Sequence, residues 1–346
     1  MRNWLVGLSV LCLWIGLVAG AQSQEKKERK KPPVYTSAKE AGPDFAIQGE
    51  YVGDVQHGDK SYTYGAQVIA LGNGKFRVKF LKGGLPGDGW DGIADLATDA
   101  VTKDGKTTFA GEIKNKQGES KKYDGTIGDG KIVGQVGGNE VKFTLKHVLR
   151  KSKTERAKPP TGAIILFDGT NADEWQGGKL VEGNLLNNGI TTKRKFKDYK
   201  AHIEFRLPFM PESRGQGRGN SGFYFLQSMY ELQILDSFGL KGENNECGGI
   251  YTIKAPSVNM CFPPLSWQTY DVEYKAARFD ADGKKIIANP VVTVYHNGVK
   301  IHDNVEIPFC TEDHKRRITT NAGAIHLQNH GDPVYFRNIW LVETKE

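Results

Sequence analysis

The chain has 346 residues with 38% hydrophobic and 10% aromatic side chains, enough to bury packed cores and too apolar for a disordered chain. Its formal charge is +7, but residues 25–33 (five basic, two acidic) and 150–160 (five basic, one acidic) contribute +3 and +4 and so carry the whole of that excess. Nucleic-acid binding needs a basic patch on a folded surface, so this distribution argues against it.

The N-terminus reads as a secretory leader. A charged start at Arg2 is followed by an apolar run over residues 4–18 and then Ala19-Gly20-Ala21, an A-x-A cleavage pattern. Cleavage after Ala21 is expected, with Gln22 as the first mature residue and a formal charge of +6 once Arg2 is lost. The run is short for a bilayer span of ~20 residues. The expected location is outside the cytoplasm: periplasmic, extracellular or on the cell surface. Residues 22–33 and 150–161 then read as solvated basic linkers ending in proline pairs.

Residues 34–149 predict a β-rich domain. Strands are expected at 46–52, 61–70, 75–82, 107–113, 121–127, 131–136 and 140–148. The turn signals Gly72-Asn73-Gly74, Asp104-Gly105, Gly128-Asp129-Gly130 and Gly137-Gly138-Asn139 lie between them. This spacing gives a small antiparallel sandwich or barrel. The loop Gly83-Gly84-Leu85-Pro86-Gly87-Asp88-Gly89-Trp90-Asp91 reads as a glycine-shaped turn whose Trp90 closes the barrel end. The alternative is an aromatic platform for a sugar.

Residues 162–346 predict about ten further strands, at 163–167, 199–206, 222–225, 230–235, 249–253, 268–276, 291–296, 299–305, 324–327 and 334–342. Helical periodicity is nearly absent, which suits a jelly-roll sandwich. Asn297-Gly298 is a two-residue hairpin signal. Three cysteines remain in the mature chain. In an exported protein pairing is permitted, and Cys247 with Cys261 is the expected bridge, leaving Cys310. Their spacing fits no zinc module.

Strand alternation sorts the polar residues. On 230–235, Tyr230, Leu232 and Ile234 point to a core while Glu231 and Gln233 share the open face. His202, Glu204 and Arg206 share a face, as do Asp271 with Glu273, and His326 with Gln328 and His330. Arg337 opposes Phe336 and Trp340. Half-buried sheets have such wet faces as a rule, and Asp271 with Glu273 reads as one. Glu231, Gln233, His330 and Arg337 stand out because Gly219, Gly222 and Gly331 lie near them and their chemistry is mixed. Glu231 and Asp236 are five apart and face opposite sides, so this strand offers no paired glycosidase carboxylates. Neither G-x-S-x-G nor H-E-x-x-H occurs.

Several motifs occur in one order: Leu166-Phe167-Asp168-Gly169-Thr170 with Trp175, Arg218-Gly219-Asn220-Ser221-Gly222, Tyr230-Glu231-Leu232-Gln233-Ile234-Leu235-Asp236, Gly249-Ile250-Tyr251, Trp267-Gln268-Thr269-Tyr270-Asp271, Asn297-Gly298-Val299, and Leu327-Gln328-Asn329-His330-Gly331-Asp332-Pro333-Val334 with Phe336-Arg337-Asn338-Ile339-Trp340. On these the region resembles the 3-keto-disaccharide hydrolase domain family. The resemblance implies a concanavalin-like jelly roll acting on glycosides oxidised at C3. A ketone there acidifies the C2 proton, so a base, an enolate stabiliser and a leaving-group acid suffice for elimination, with water adding afterwards. Under that resemblance His330 is the candidate base with Glu231 competing. Arg337 stabilises the enolate or binds substrate. Asn220, Gln233 and Gln328 hold hydroxyls, and Tyr251 or Trp267 stacks on the ring. A divalent metal ion is the alternative stabiliser, with His330, Asp332 and Glu231 as ligands. Trp175 is expected in the core.

Two other readings stay open. A carbohydrate-binding, lectin-like protein would have the same fold without a base beside an acid. An adhesion or structural module would have no concave pocket.

Overall fold

The computed structural model describes residues 31–114, 118–318 and 321–344. The leader reading and residues 22–30 of the first basic linker lie outside them. No helix among the described residues is long and apolar enough to cross a membrane.

After one short helix, Gly42–Ile47, eight antiparallel strands form a closed barrel: Gly49–His57, Lys60–Gly72, Lys75–Lys82, Ala94–Lys103, Lys106–Lys114, Ser120–Gly128, Lys131–Val136 and Val141–Val148. The first pairs with the last, leaving no free edge. Seven strands were expected. The eighth, Ala94–Lys103, was missed because its acidic residues (Asp95, Asp99) blur the alternation. The turn residues behave as their chemistry dictates: Asn73, Asp104 and Asp129 all adopt positive φ. Ala66, Val68, Phe76, Val78, Ile132 and Leu145 are buried in the barrel core.

The loop at 83–91 is a tight glycine turn. A Cβ on Gly83 would lie 2.3 Å from the Gly89 carbonyl oxygen. Trp90 stays half-buried and donates to the Ile93 carbonyl at 2.8 Å. The barrel core is joined instead by Phe209 from the second region, packed against Tyr35 and Phe45.

That second region is a sandwich of two antiparallel sheets, consistent with a jelly roll. One has five strands in the order Trp175–Gln176, Ile190–Thr192, His326–Leu327, Ser221–Leu226, Tyr230–Ile234. The other has eight, centred on Tyr335–Glu343, Tyr199–Arg206, Trp267–Lys275 and Val291–His296. Phe223, Phe225, Leu232, Ile234 and Leu327 of the first sheet meet Ile203, Phe205, Tyr270, Val272, Phe336 and Leu341 of the second in one core. Asn297 and Gly298 take φ of 53° and 79° and close the hairpin to Val299–Glu306. Trp175 is buried, its indole N–H donating to Leu166. No strand forms at 249–253; Ile250 makes an isolated bridge to Leu232 inside a turn.

The connector at 150–157 is not a solvated linker. It crosses the outer face of the eight-stranded sheet and is fastened along its length. Arg150 pairs with the barrel's Glu50 at 2.6 Å and donates to Pro86. Ser152 bonds Thr269 at 2.6 Å, Thr154 donates to Asp271 at 2.6 Å, and Glu155 pairs with Arg337 at 2.8 Å. The barrel also touches the sandwich through Arg218, which donates to Ala70, and Lys79, which donates to Gly239. The described residues from 32 onward form one compact unit.

The cysteines differ from expectation. Cys247, Cys261 and Cys310 are all buried free thiols. Cys247 bonds the Tyr270 hydroxyl at 3.2 Å rather than forming a bridge.

Candidate functional site

The outer face of the five-stranded sheet carries a polar cavity of about 290 Å³ lined by Gln216, Asn220, Glu231, Gln233, Tyr251, Glu312, Gln328 and His330. Alternation explains most of it. Leu232 and Ile234 enter the core, so Glu231 and Gln233 face outward on the strand Tyr230–Ile234. Gln328 follows the short strand His326–Leu327, its backbone N–H bonded to Gly222. His330 is exposed at the rim. Asn220 enters from the turn before Ser221–Leu226, its own N–H donating to Asp332 at 2.8 Å.

Three amide oxygens in this cavity are buried and lack a donor among the described residues: Asn220 Oδ1, Gln233 Oε1 and Gln328 Oε1. Their amide nitrogens are already engaged. Asn220 Nδ2 donates to the Gln216 carbonyl at 2.8 Å, Gln233 Nε2 to Gln216 Oε1 at 3.2 Å, and Gln328 Nε2 to the Tyr224 hydroxyl at 3.2 Å. The nitrogens are held back, so the oxygens are free to accept from a ligand. Leaving such acceptors empty costs about 1–3 kcal/mol each.

Glu231 is buried, and its carboxyl is raised to about 8 by burial, helped by the nearby Glu312 charge and opposed by the Tyr224 bond. The Tyr224 hydroxyl lies between the two acids, 3.0 Å from Glu231 Oε2 and hydrogen-bonded to Glu312 Oε1. Gly222 makes room for the carboxylate: a Cβ there would sit 2.3 Å from Glu231 Oε1. Asp236 does not take part. It is buried in an ion pair with Arg218 at 2.6 Å.

Two expected site residues are elsewhere. Arg337 lies on the outer face of the opposite sheet, beneath the connector. It pairs with Glu204 at 2.7 Å and Glu155 at 2.8 Å. Trp267 is beside it, with the guanidinium 3.9 Å over its ring. The alternation was right in giving Arg337 a polar face, but a sandwich has two outer faces. Asp271 belongs to the same covered cluster: its Oδ1 is 2.6 Å from His202 Nδ1. It is therefore not a solvated surface acid, whereas Glu273 does pair at the surface with Lys200.

Three contributors were not foreseen. Gln216 comes from the 3-10 turn Gly215–Gly217 and Glu312 from the loop after Val299–Glu306, neither of which carries a periodic signal. Tyr224 was accessible to reasoning, because Phe223 and Phe225 flank it and point inward. No three His, Cys, Asp or Glu side chains among the described residues come together closely enough to hold a metal ion. The set His330, Asp332 and Glu231 is thus not assembled as a ligand cage.

No curated protein matches the sequence. Among solved structures, a candidate glycosyl hydrolase from Parabacteroides distasonis ATCC 8503 shares 36% identity, with 54% of this chain and 85% of that one covered at a TM-score of 0.48. A second from the same organism shares 20% identity over 57% of this chain and 99% of its own, with a TM-score of 0.41. Residues 162–342 match a carbohydrate-active, glycosidase-like family, and the chain belongs to it: the 3-keto-alpha-glucoside-1,2-lyase-like domain family.

Proposed function

We propose that this is an exported enzyme that cleaves 3-keto-disaccharides or 3-keto-glycosides by elimination, with hydration following. The observation that carries the reading is the trio of buried, donorless amide oxygens around a buried carboxyl. Hydroxyl groups of one sugar ring supply the missing donors. The cavity volume suits a single ring, with the departing group at the mouth.

The chemistry then assigns roles. The C3 ketone makes the C2 proton removable. His330, at the rim, takes that proton. The electron pair left at C2 forms the enolate and expels the oxygen at C1. Glu231 supplies the proton to that leaving oxygen, because a carboxyl raised to about 8 is an acid at neutral pH. Its role is therefore the acid rather than the competing base. Water added at C1 of the resulting enone gives net hydrolysis. None of the lining residues is Arg or Lys, so the imidazolium formed when His330 takes the proton is the cation that the lining brings to the enolate.

The test is incubation of the mature protein with 3-keto-trehalose, with and without EDTA, following 3-keto-glucose. Release should fall at least about 100-fold in His330→Ala and Glu231→Gln. Sugar binding without release across several linkages would make the chain lectin-like instead. Export is tested by N-terminal sequencing of the secreted protein, which should begin at Gln22.

A further inference from the structure

We infer that Tyr224 relays protons between the exposed Glu312 and the buried Glu231, recharging Glu231 whenever the unsaturated keto-sugar leaves before water adds. The inference rests on Glu231 acting as the leaving-group acid.

A phenolic oxygen has one hydrogen to give and two lone pairs to accept with. Three partners surround Tyr224 Oη. Gln328 Nε2, at 3.2 Å, can only donate. Glu231 Oε2 is at 3.0 Å, and Glu312 Oε1 is also hydrogen-bonded. The single phenolic hydrogen serves one carboxyl, so the other must bring its own. Glu231 and Glu312 therefore share one proton at rest. Glu231 is 3% exposed and Glu312 is exposed, and burial penalises the charged form. The resting proton sits on Glu231, which donates to Tyr224, and Tyr224 donates to Glu312.

Once Glu231 has protonated the leaving oxygen, it is an anion in a buried site. Hydration in place resets it, because the attacking water gives its proton back to Glu231. Departure of the unsaturated sugar does not. In that case Glu312 takes a proton from solvent and donates it to Tyr224 as the phenolic hydrogen passes to Glu231. One O–H bond forms at Glu231 and one breaks at Glu312; Tyr224 ends as it began, and no electrons are exchanged. The two transfers are concerted, since burial, with both carboxylates, pushes the phenol far above its ordinary value and disfavours a free phenolate. The exposed His330 sheds its own proton directly to bulk water. A lyase ending thus needs this chain of groups and a hydrolytic ending does not.

The experiment compares the first turnover with repeated turnovers by rapid quench, using 3-keto-trehalose at about pH 6, where Glu231 starts protonated. In Tyr224→Phe, repeated turnover should fall about tenfold or more relative to that variant's own first turnover. Glu312→Gln, a surface change with little folding risk, should uncouple the two phases in the same way. Equal loss in both phases for both variants would reduce Tyr224 to packing and overturn the relay. A substrate-free readout separates this from the functional reading. Infrared spectra of protein with 13C-labelled glutamate should show a protonated carboxyl at neutral pH that disappears in Glu231→Gln. Absence of that band overturns the relay even if cleavage is intact. Its presence, with no keto-glycoside cleaved by the unaltered protein, overturns the functional reading and leaves the proton chain standing.

Discussion

Replacing Arg337 by methionine separates a structural role from a catalytic one. Glu204 has no exposed side-chain surface, while Arg337 retains 16% of its own. Burial alone would raise the Glu204 carboxyl. Hydrogen bonds from His202, Asn338 and Arg337, with the Arg156 backbone N–H, hold it instead at about 2 against an ordinary 4.5. That difference corresponds to about 3 kcal/mol for the whole cluster at neutral pH. Deleting the guanidinium removes one donor, the Glu155 pair and the stack on Trp267, and strands a buried carboxylate. The expected loss is about 3 kcal/mol, at the lower end for a broken buried pair because Arg337 is partly wet. Urea unfolding followed by tryptophan fluorescence reads it as a lower midpoint at an unchanged slope. Adding Glu204→Gln should cost less than the sum of the single changes, since the stranded charge is then gone. Turnover of 3-keto-disaccharide by the folded variant should stay near that of the parent. A variant with its urea midpoint unmoved and its turnover abolished would sink the argument and return Arg337 to the chemistry.

The same cluster sets a pH dependence with two arms. Glu204 is depressed, so its contribution is present above 4.5 and is lost as pH falls toward about 2. His202 is raised, burial being outweighed by its bonds to Asp271 and Glu204. Its contribution is full below 6.5 and is lost as pH rises through the folded value. Urea midpoints measured across pH should therefore fall at both ends, and His202→Asn should remove the alkaline arm while also weakening the acid arm, since His202 is one of the partners that hold Glu204 down. Gly222→Ala places a methyl 2.3 Å from Glu231 Oε1, the movable end of a side chain; turnover should drop about tenfold with the melting temperature little changed, and full activity would show that the carboxyl has slack. Thiol labelling of a chain beginning at Gln22 with a chromogenic disulfide should be near zero in the native protein and reach three groups after unfolding without reductant. Finding only one would restore a Cys247–Cys261 bridge.

Much of the architecture was legible because a strand's period is two. The inward sets Leu232 with Ile234 and Ala201 with Ile203 and Phe205 follow from alternation alone, as does the outward pair Glu231 and Gln233. Alternation gives a face of a strand and is silent on which sheet that strand joins. His330 and Arg337 stand seven residues apart in sequence, yet the chain passes from the five-stranded sheet to the eight-stranded one between them. Alternation exposed Glu231 and Gln233, and the motifs drew in Asn220, Tyr251 and His330 from turns, whereas Glu312 and Gln216 carried neither signal. Glu312 and Gln216 are placed by turns whose geometry is fixed by tertiary contacts. The connector was misread for a related reason: Arg150 and Glu155 look like a solvated charge run until Glu50 and Arg337 are set opposite them.

That connector also changes what can be inherited or excised. A fragment beginning at residue 162 would match the family boundaries, yet it would expose Glu204, Asp271 and His202 without the Thr154, Glu155 and Arg156 contacts that cover them. It would also strip Arg218, two residues before Asn220, of its barrel acceptor at Ala70. The barrel is thus fastened to the sandwich through both the connector and Arg218. Recombination that swapped the sandwich onto another N-terminal module would have to carry residues 150–157, and their partners on both sides, as one cassette.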